Sequence, residues 1–254
     1  MNAPAQTAFS FSQVWDDAFA MLRANAGLLT AIAGVFLFLP ALVVALYVPP
    51  PETAESPAEW IEQFRLYNEA NWPWLLVSGL VNMIGVIAIY LLLLAAPRMT
   101  VGGAVVAALT IVPFYFLMTL GLNIAVGIGF VLLIVPGVYL LGRLVLTSPV
   151  LVAELPRSPG GAFRRAWELS KGRAWQIALM VLLVYIVAGL ASFAVGTGIG
   201  VVVLLLLGNE GVGGFIVAVL EALVGAAVTV VATVLIAAIY RAVTSRPDLG
   251  KSFN

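Results

Sequence analysis

Residues 99–142, MTVGGAVVAALTIVPFYFLMTLGLNIAVGIGFVLLIVPGVYLLG, run for 44 positions without a charged side chain. As a single α-helix they would extend about 66 Å at roughly 1.5 Å per residue, twice the roughly 30 Å hydrocarbon core of a bilayer. In lipid every backbone N–H and C=O must be satisfied within the segment. The stretch therefore predicts two membrane-crossing helices, 103–124 and 129–149, with Gly121, Gly127 and Gly129 marking the turn between them.

Working outward, the uncharged gaps 24–51, 70–97 and 222–240 each fit one crossing, giving spans 26–48, 72–96 and 213–242. The gap 174–209 holds one span, 174–196, and a remainder interrupted by Gly196, Gly198 and Gly200. Residues 197–208 are readable as part of a span or as a re-entrant or interfacial segment. Counting 199–218 as a seventh helix would bury Glu210 at a cost of roughly 2.5–3.5 kcal/mol. It would also carry Arg241, Arg246 and Lys251 outside. With six helices and the N-terminus inside, eleven of the twelve basic residues fall on the cytoplasmic side, Arg65 being the exception. The positive-inside rule thus selects six, with both termini cytoplasmic.

Composition agrees. Hydrophobic residues make up 63% of the 254-residue chain and charged residues 9%, against about 25% charged in soluble domains. Net charge is zero, so no basic field exists for a nucleic-acid backbone. The chain has no His and no Cys, which removes His-based general bases, thiolate nucleophiles, disulfides and the usual zinc ligands. No catalytic residue, metal site or cofactor is expected. Asp16 and Asp17 precede the first apolar run and no basic residue precedes Arg23, so a cleavable signal is not expected either.

Two amphipathic segments flank the spans. In 10–22, Phe11, Val14, Trp15, Ala18, Phe19 and Leu22 form one apolar stripe, and Ser10 with Gln13 fits a capping box. In 159–170, opened by Ser158 and Pro159, Phe163, Ala166, Trp167 and Ser170 share a face. Both are expected to lie along the inner leaflet, anchored by Trp15, Phe19, Phe163 and Trp167. On the other side, Pro57–Asn68 can form a short amphipathic helix through Trp60, Ile61, Phe64 and Tyr67, with Trp72 and Trp74 at an interfacial belt. With an offset of 148, Ala18–Arg23 overlays Ala166–Lys171, and Gly102-Gly103-Ala104 matches Gly160-Gly161-Ala162. Three degenerate units, each a surface helix plus a hairpin, are one explanation. Coincidence in an Ala-rich chain is the other. The expected fold is an all-α integral membrane protein of six transmembrane helices in three hairpins, forming a single membrane domain.

The run Leu132-Leu133-Ile134-Val135-Pro136-Gly137-Val138-Tyr139-Leu140, then Arg143, Ser148-Pro149, Glu154 and Ala162–Gly172, resembles the glycerophosphoryl diester phosphodiesterase membrane-domain family and related bacterial six-helix inner-membrane proteins. The likeness covers most of the chain, and its specific motif is this central one. In that family the membrane domain can precede a soluble phosphodiesterase barrel that works with metal-binding carboxylates and catalytic His. Fourteen residues follow Tyr240 and there is no His, so that activity is not expected to carry over.

Glu221 is the one acid placed inside a span, and an intramembrane acid is a functional-site hypothesis by default. Asn82, Tyr139 and Tyr185 come to similar depths, so the four are candidates for one ligand-binding or proton-coupling cluster. Alternatively the last helix starts deeper, Glu221 reaches the headgroups, and Asn82 bonds a neighbouring helix. Arg143, near the cytoplasmic end of the fourth span, reads first as a snorkelling anchor and second as a ligand-binding charge. Pro40, Pro113 and Pro136 are expected to kink their spans. The expected function is a non-catalytic, lipid-related or scaffolding membrane module, with membrane lipids and other membrane proteins as partners. The alternative is a transporter of a small or amphiphilic molecule that uses Glu221.

Overall fold

A computed structural model describes residues 10–48, 54–95, 99–154, 158–208 and 211–244. Arg98, Arg157, Glu210, Arg246 and Lys251, which entered the charge-sidedness count, lie outside them. The described residues are helical, with no strand among them. Among the described residues six segments are long and apolar enough to cross a membrane: Ala26–Tyr47, Pro57–Leu94, Val101–Leu132, Ile134–Ala153, Ala174–Leu207 and Val212–Thr244.

Helix starts follow local chemistry. α1 (Phe11–Ala24) begins after Ser10, whose hydroxyl accepts from Gln13 N–H. The first span joins α2 (Ala26–Ile32) to α3 (Leu39–Tyr47) through a π-helical stretch, Ala33–Phe38. Ser56 caps α4 (Pro57–Leu94) at 3.2 Å from Glu59 N, and Thr100 caps α5 (Val101–Leu132) at 3.2 Å from Gly103 N. The fourth span comprises α6 (Ile134–Leu144) and α7 (Thr147–Ala153). Ser158 caps α8 (Pro159–Leu169), with Pro159 in the first turn. Gly172, at φ +77°, turns the chain into α9 (Ala174–Phe193). A second π stretch, Ala194–Ile199, leads on to α10 (Gly200–Leu207), and α11 (Val212–Thr244) closes the fold.

Four boundaries differ from expectation. The 103–124 span continues to Leu132, because glycine in an apolar medium does not by itself break a helix whose backbone groups have no water to bond. The break comes at Leu133, extended at φ −166° and ψ 153°. The next helix begins at Ile134, so the 129–149 span starts later, and Pro136 lies in its first turn. There the missing N–H is harmless and no kink is needed. Close approach sets this turn: a Cβ on Gly129 would stand 3.0 Å from the Gly137 Cα, and one on Gly137 2.9 Å from the Phe130 Cα. The segment 174–196 continues through 197–207 by way of the π stretch. The 57–68 helix and the 72–96 span are one continuous helix, α4, with Pro73 inside it. At 38 residues α4 is about 57 Å long and projects well beyond a bilayer core.

α11 is the centre of the bundle, touching α1, α3, α4, α7, α9 and α10. Every residue from Thr233 to Tyr240 is buried, as expected of a helix enclosed on all sides. Facing it, Ile87–Leu92 of α4 are buried as well. The tight packing lies at the end of the bundle that carries α1 and α8, here called the termini end. At the opposite, far end Val131–Val135 and Leu205–Leu207 are exposed.

Candidate functional site

Three features of the bundle surface carry chemistry. The first is a lateral groove of about 530 Å³ between the first and last spans. Its apolar lining includes Leu29, Ala33, Gly34, Phe38, Ala227 and Val231, and Arg23 and Leu22 stand at its termini end. Arg23 is exposed and has no ion-pair partner among the described residues. From Ala26 to Phe38 the groove follows about 18 Å of helix axis.

The second feature is a smaller groove, about 440 Å³, toward the far end. It is lined by Ala41, Val44, Ala45, Leu75, Ser78, Gly79, Asn82, Glu221 and Ala222. Antiparallel packing of α3 on α11 sets Glu221 at the level of Ala41–Ala45, and α4 brings Asn82 to the same opening. Glu221 Oε1 lies beside Gly196 of the second π stretch, 3.4 Å from where a Cβ would stand. Neither Glu221 nor Asn82 makes a side-chain hydrogen bond among the described residues. Of the four residues expected to cluster, these two share a groove. Tyr139 and Tyr185 are not part of its lining. Tyr185 is half exposed on α9, and Tyr139 belongs to the third feature. Similar depth did not bring the four together because depth fixes height in the bundle and leaves the direction of each helix face open.

The third feature surrounds Arg143 at the termini end of α6. Its side chain is only 6% exposed, so it is not a snorkelling anchor. The guanidinium carbon lies 4.0 Å from the Trp167 ring centroid and 5.8 Å from that of Tyr139. Tyr139 meets Trp167 edge-on at 6.5 Å and Trp175 at 6.0 Å. The arrangement follows from sequence spacing. Tyr139 and Arg143 stand four apart on one face of α6, while Trp167 and Trp175 flank the α8–α9 turn. The Ser170 hydroxyl fastens that turn, donating to the carbonyls of Ala166 at 2.8 Å and Arg143 at 3.1 Å. Arg143 Nε is buried without a hydrogen-bond partner, and no carboxylate pairs with the guanidinium among the described residues. The nearby acids are engaged elsewhere. Glu154 accepts from Arg165 Nε at 3.1 Å and from the Tyr240 hydroxyl at 3.0 Å, joining α7, α8 and α11. Glu168 pairs with Arg164 at 3.3 Å.

The four residues named as surface anchors divide. Phe19 is 53% and Trp167 43% exposed, while Trp15 and Phe163 are half-buried, Phe163 lying against Gly121 of α5. The faces turned inward are Val14, Ala18 and Met21 of α1 and Ala162 and Ala166 of α8. No group of three or more His, Cys, Asp or Glu residues that could hold a metal occurs among the described residues.

Fold and surface together define a multi-pass α-helical membrane protein with lateral grooves and, among the described residues, one buried, unpaired arginine. Compared with known proteins, the chain matches no family model, no curated protein and no solved structure.

Proposed function

We propose that the chain is a non-catalytic, lipid-related membrane module whose groove between the first and last spans seats the acyl chain of a membrane lipid. The carrying observation is the groove itself. Its volume of about 530 Å³ falls within the range of small-molecule sites, roughly 300–1,000 Å³. Its walls are apolar, and a guanidinium with no ion-pair partner among the described residues stands at one mouth. Such a shape complements an amphiphile with an anionic head and a hydrocarbon tail. The proposal includes insertion in a bacterial cytoplasmic membrane with both termini cytoplasmic, three hairpins, and α1 and α8 lying along the inner leaflet. It keeps the likeness of residues 132–172 to the phosphodiesterase membrane-domain family, without the phosphodiesterase chemistry. Scaffolding of other membrane proteins is compatible with the same surface.

The test is Ala227→Trp, which puts a large side chain into the groove from an exposed position. Native mass spectrometry of the purified protein should show fewer co-purified lipids than wild type at equal thermal stability. Unchanged lipid occupancy would overturn the assignment.

One observation favours the transport alternative: Glu221 and Asn82 share the far-end groove, and neither has a partner among the described residues. There Glu221 would be the coupling residue for a small or amphiphilic substrate.

A further inference from the structure

Arg143 presents a chemical demand that the chain leaves unmet. A guanidinium carries five N–H donors in a rigid planar fork, and none is bonded to an acceptor among the described residues. Burying a cation without an acceptor is costly. Its attraction to the Trp167 face offsets part of that cost but supplies no lone pair. Nε is sealed from the exterior and has no hydrogen-bond partner, and the residue as a whole keeps only 6% exposure.

Its surroundings select an anion. The guanidinium lies over Trp167 in the last turn of α8 and beside Tyr139 of its own helix, and Tyr139 in turn meets Trp175 in the first turn of α9. The Ser170 bond to the Arg143 carbonyl holds the α8–α9 turn against α6, so Lys171 and Arg173 belong to the same corner. Lys171 is exposed and unpaired among the described residues. α9 has 20 residues and opens without a side-chain cap, leaving the first-turn N–H groups directed at that corner. Trp167 and Trp175, each nearly half exposed, mark a headgroup level.

From this geometry we propose that Arg143, Lys171 and the first turn of α9 form a binding site for the phosphate of an anionic phospholipid. The guanidinium fork meets two phosphate oxygens, and Trp167 and Trp175 lie beside the upper part of the acyl chains. The site stands apart from the groove between the first and last spans and does not depend on its occupancy.

The test uses the whole chain, delipidated in detergent, with thermal stability followed during titration. The probes are dioleoyl phosphatidylglycerol, dioleoylglycerol and inorganic phosphate. Phosphatidylglycerol should raise the melting temperature saturably, in wild type and equally in Ala227→Trp, which separates this site from the groove. Arg143→Met should weaken the response at least tenfold and Lys171→Ala about threefold. An equal response to dioleoylglycerol, or an unchanged response in Arg143→Met, would overturn the proposal. Full saturation by inorganic phosphate alone would overturn the lipid assignment. Should Arg143→Met not fold, Lys171→Ala decides from its exposed turn: unchanged affinity there refutes the site.

Discussion

Gly142→Ala probes the contact that positions Arg143. A Cβ at Gly142 would collide with the backbone carbonyl of Ala174 and stand 2.8 Å from the Ala178 Cβ. Ordinary contact begins near 3.4 Å, so α6 and α9 must separate by at least 0.6 Å against Ala178, and by more against the carbonyl. That carbonyl belongs to the first turn of a helix whose backbone cannot fold away as a flexible side chain could. Overpacking of this kind costs roughly 1–3 kcal/mol. At about 2–4 °C per kcal/mol for a chain of this size, a loss of some 2 kcal/mol lowers the melting temperature by roughly 4–8 °C. The assay is thermal unfolding of the purified protein in detergent, followed by size-exclusion fluorescence. Gly189→Ala is the control, since that glycine has open space around it in α9, and it should lose nothing. A Gly142→Ala protein within 1 °C of wild type would show that the two helices do not meet backbone to backbone, and the wedge beside Arg143 would lose its geometric basis.

Tyr240→Phe removes the hydroxyl donor to Glu154, a partly exposed bond at 3.0 Å. It should cost about 0.5–1.5 kcal/mol, and in a double-mutant cycle with Glu154→Gln the two losses should fall short of additive. Glu221→Gln should leave thermal stability unchanged or slightly raised if the chain is a lipid module, and should abolish proton-coupled flux in proteoliposomes if it is a transporter; unchanged flux across amphiphile substrates removes Glu221 from the site. Because the native chain has no Cys, single cysteines can report sidedness. A cysteine at Glu59 should be labelled by an impermeant reagent from outside and one at Gly160 should not, and the reverse pattern would invert the proposed orientation.

The number of spans was legible because charges are excluded from the bilayer core, and the gaps between them measure helix lengths directly. Caps were legible for the same reason they exist: Ser10 and Ser158 satisfy N–H groups that no earlier turn can reach. The turn after α5 was misplaced because glycine is a weak breaker where the medium cannot hydrogen-bond. Extended Leu133, followed by Pro136 in the opening turn of α6, marks the true break. The π stretches leave no sequence signature of this kind.

Which face of each helix turns inward was a harder question, and the reason is physical. In water, polarity separates core from surface. In lipid both are apolar, so Thr233–Tyr240, buried on every side, and Val131–Val135, exposed together at the far end, read alike in hydropathy. Small side chains mark part of the distinction, since backbones approach closely where a side chain is small. Ala18, Ala162, Ala166, Ala222, Ala226 and Gly142 all face neighbouring helices. Polar residues follow from that packing. Asn82 shares a groove with Glu221 because α4 and α11 adjoin, and Arg143 meets Trp167 because Gly142 draws α9 close and Ser170 ties the turn before it to α6. Helical spacing alone showed that Tyr139 and Arg143 share a face. Linking that face to Trp167 and Trp175 required the α8–α9 turn, which positive-φ Gly172 and the Ser170 hydroxyl set in place. The buried cation thus depends on small residues and a turn, features that a search for charged or reactive motifs passes over.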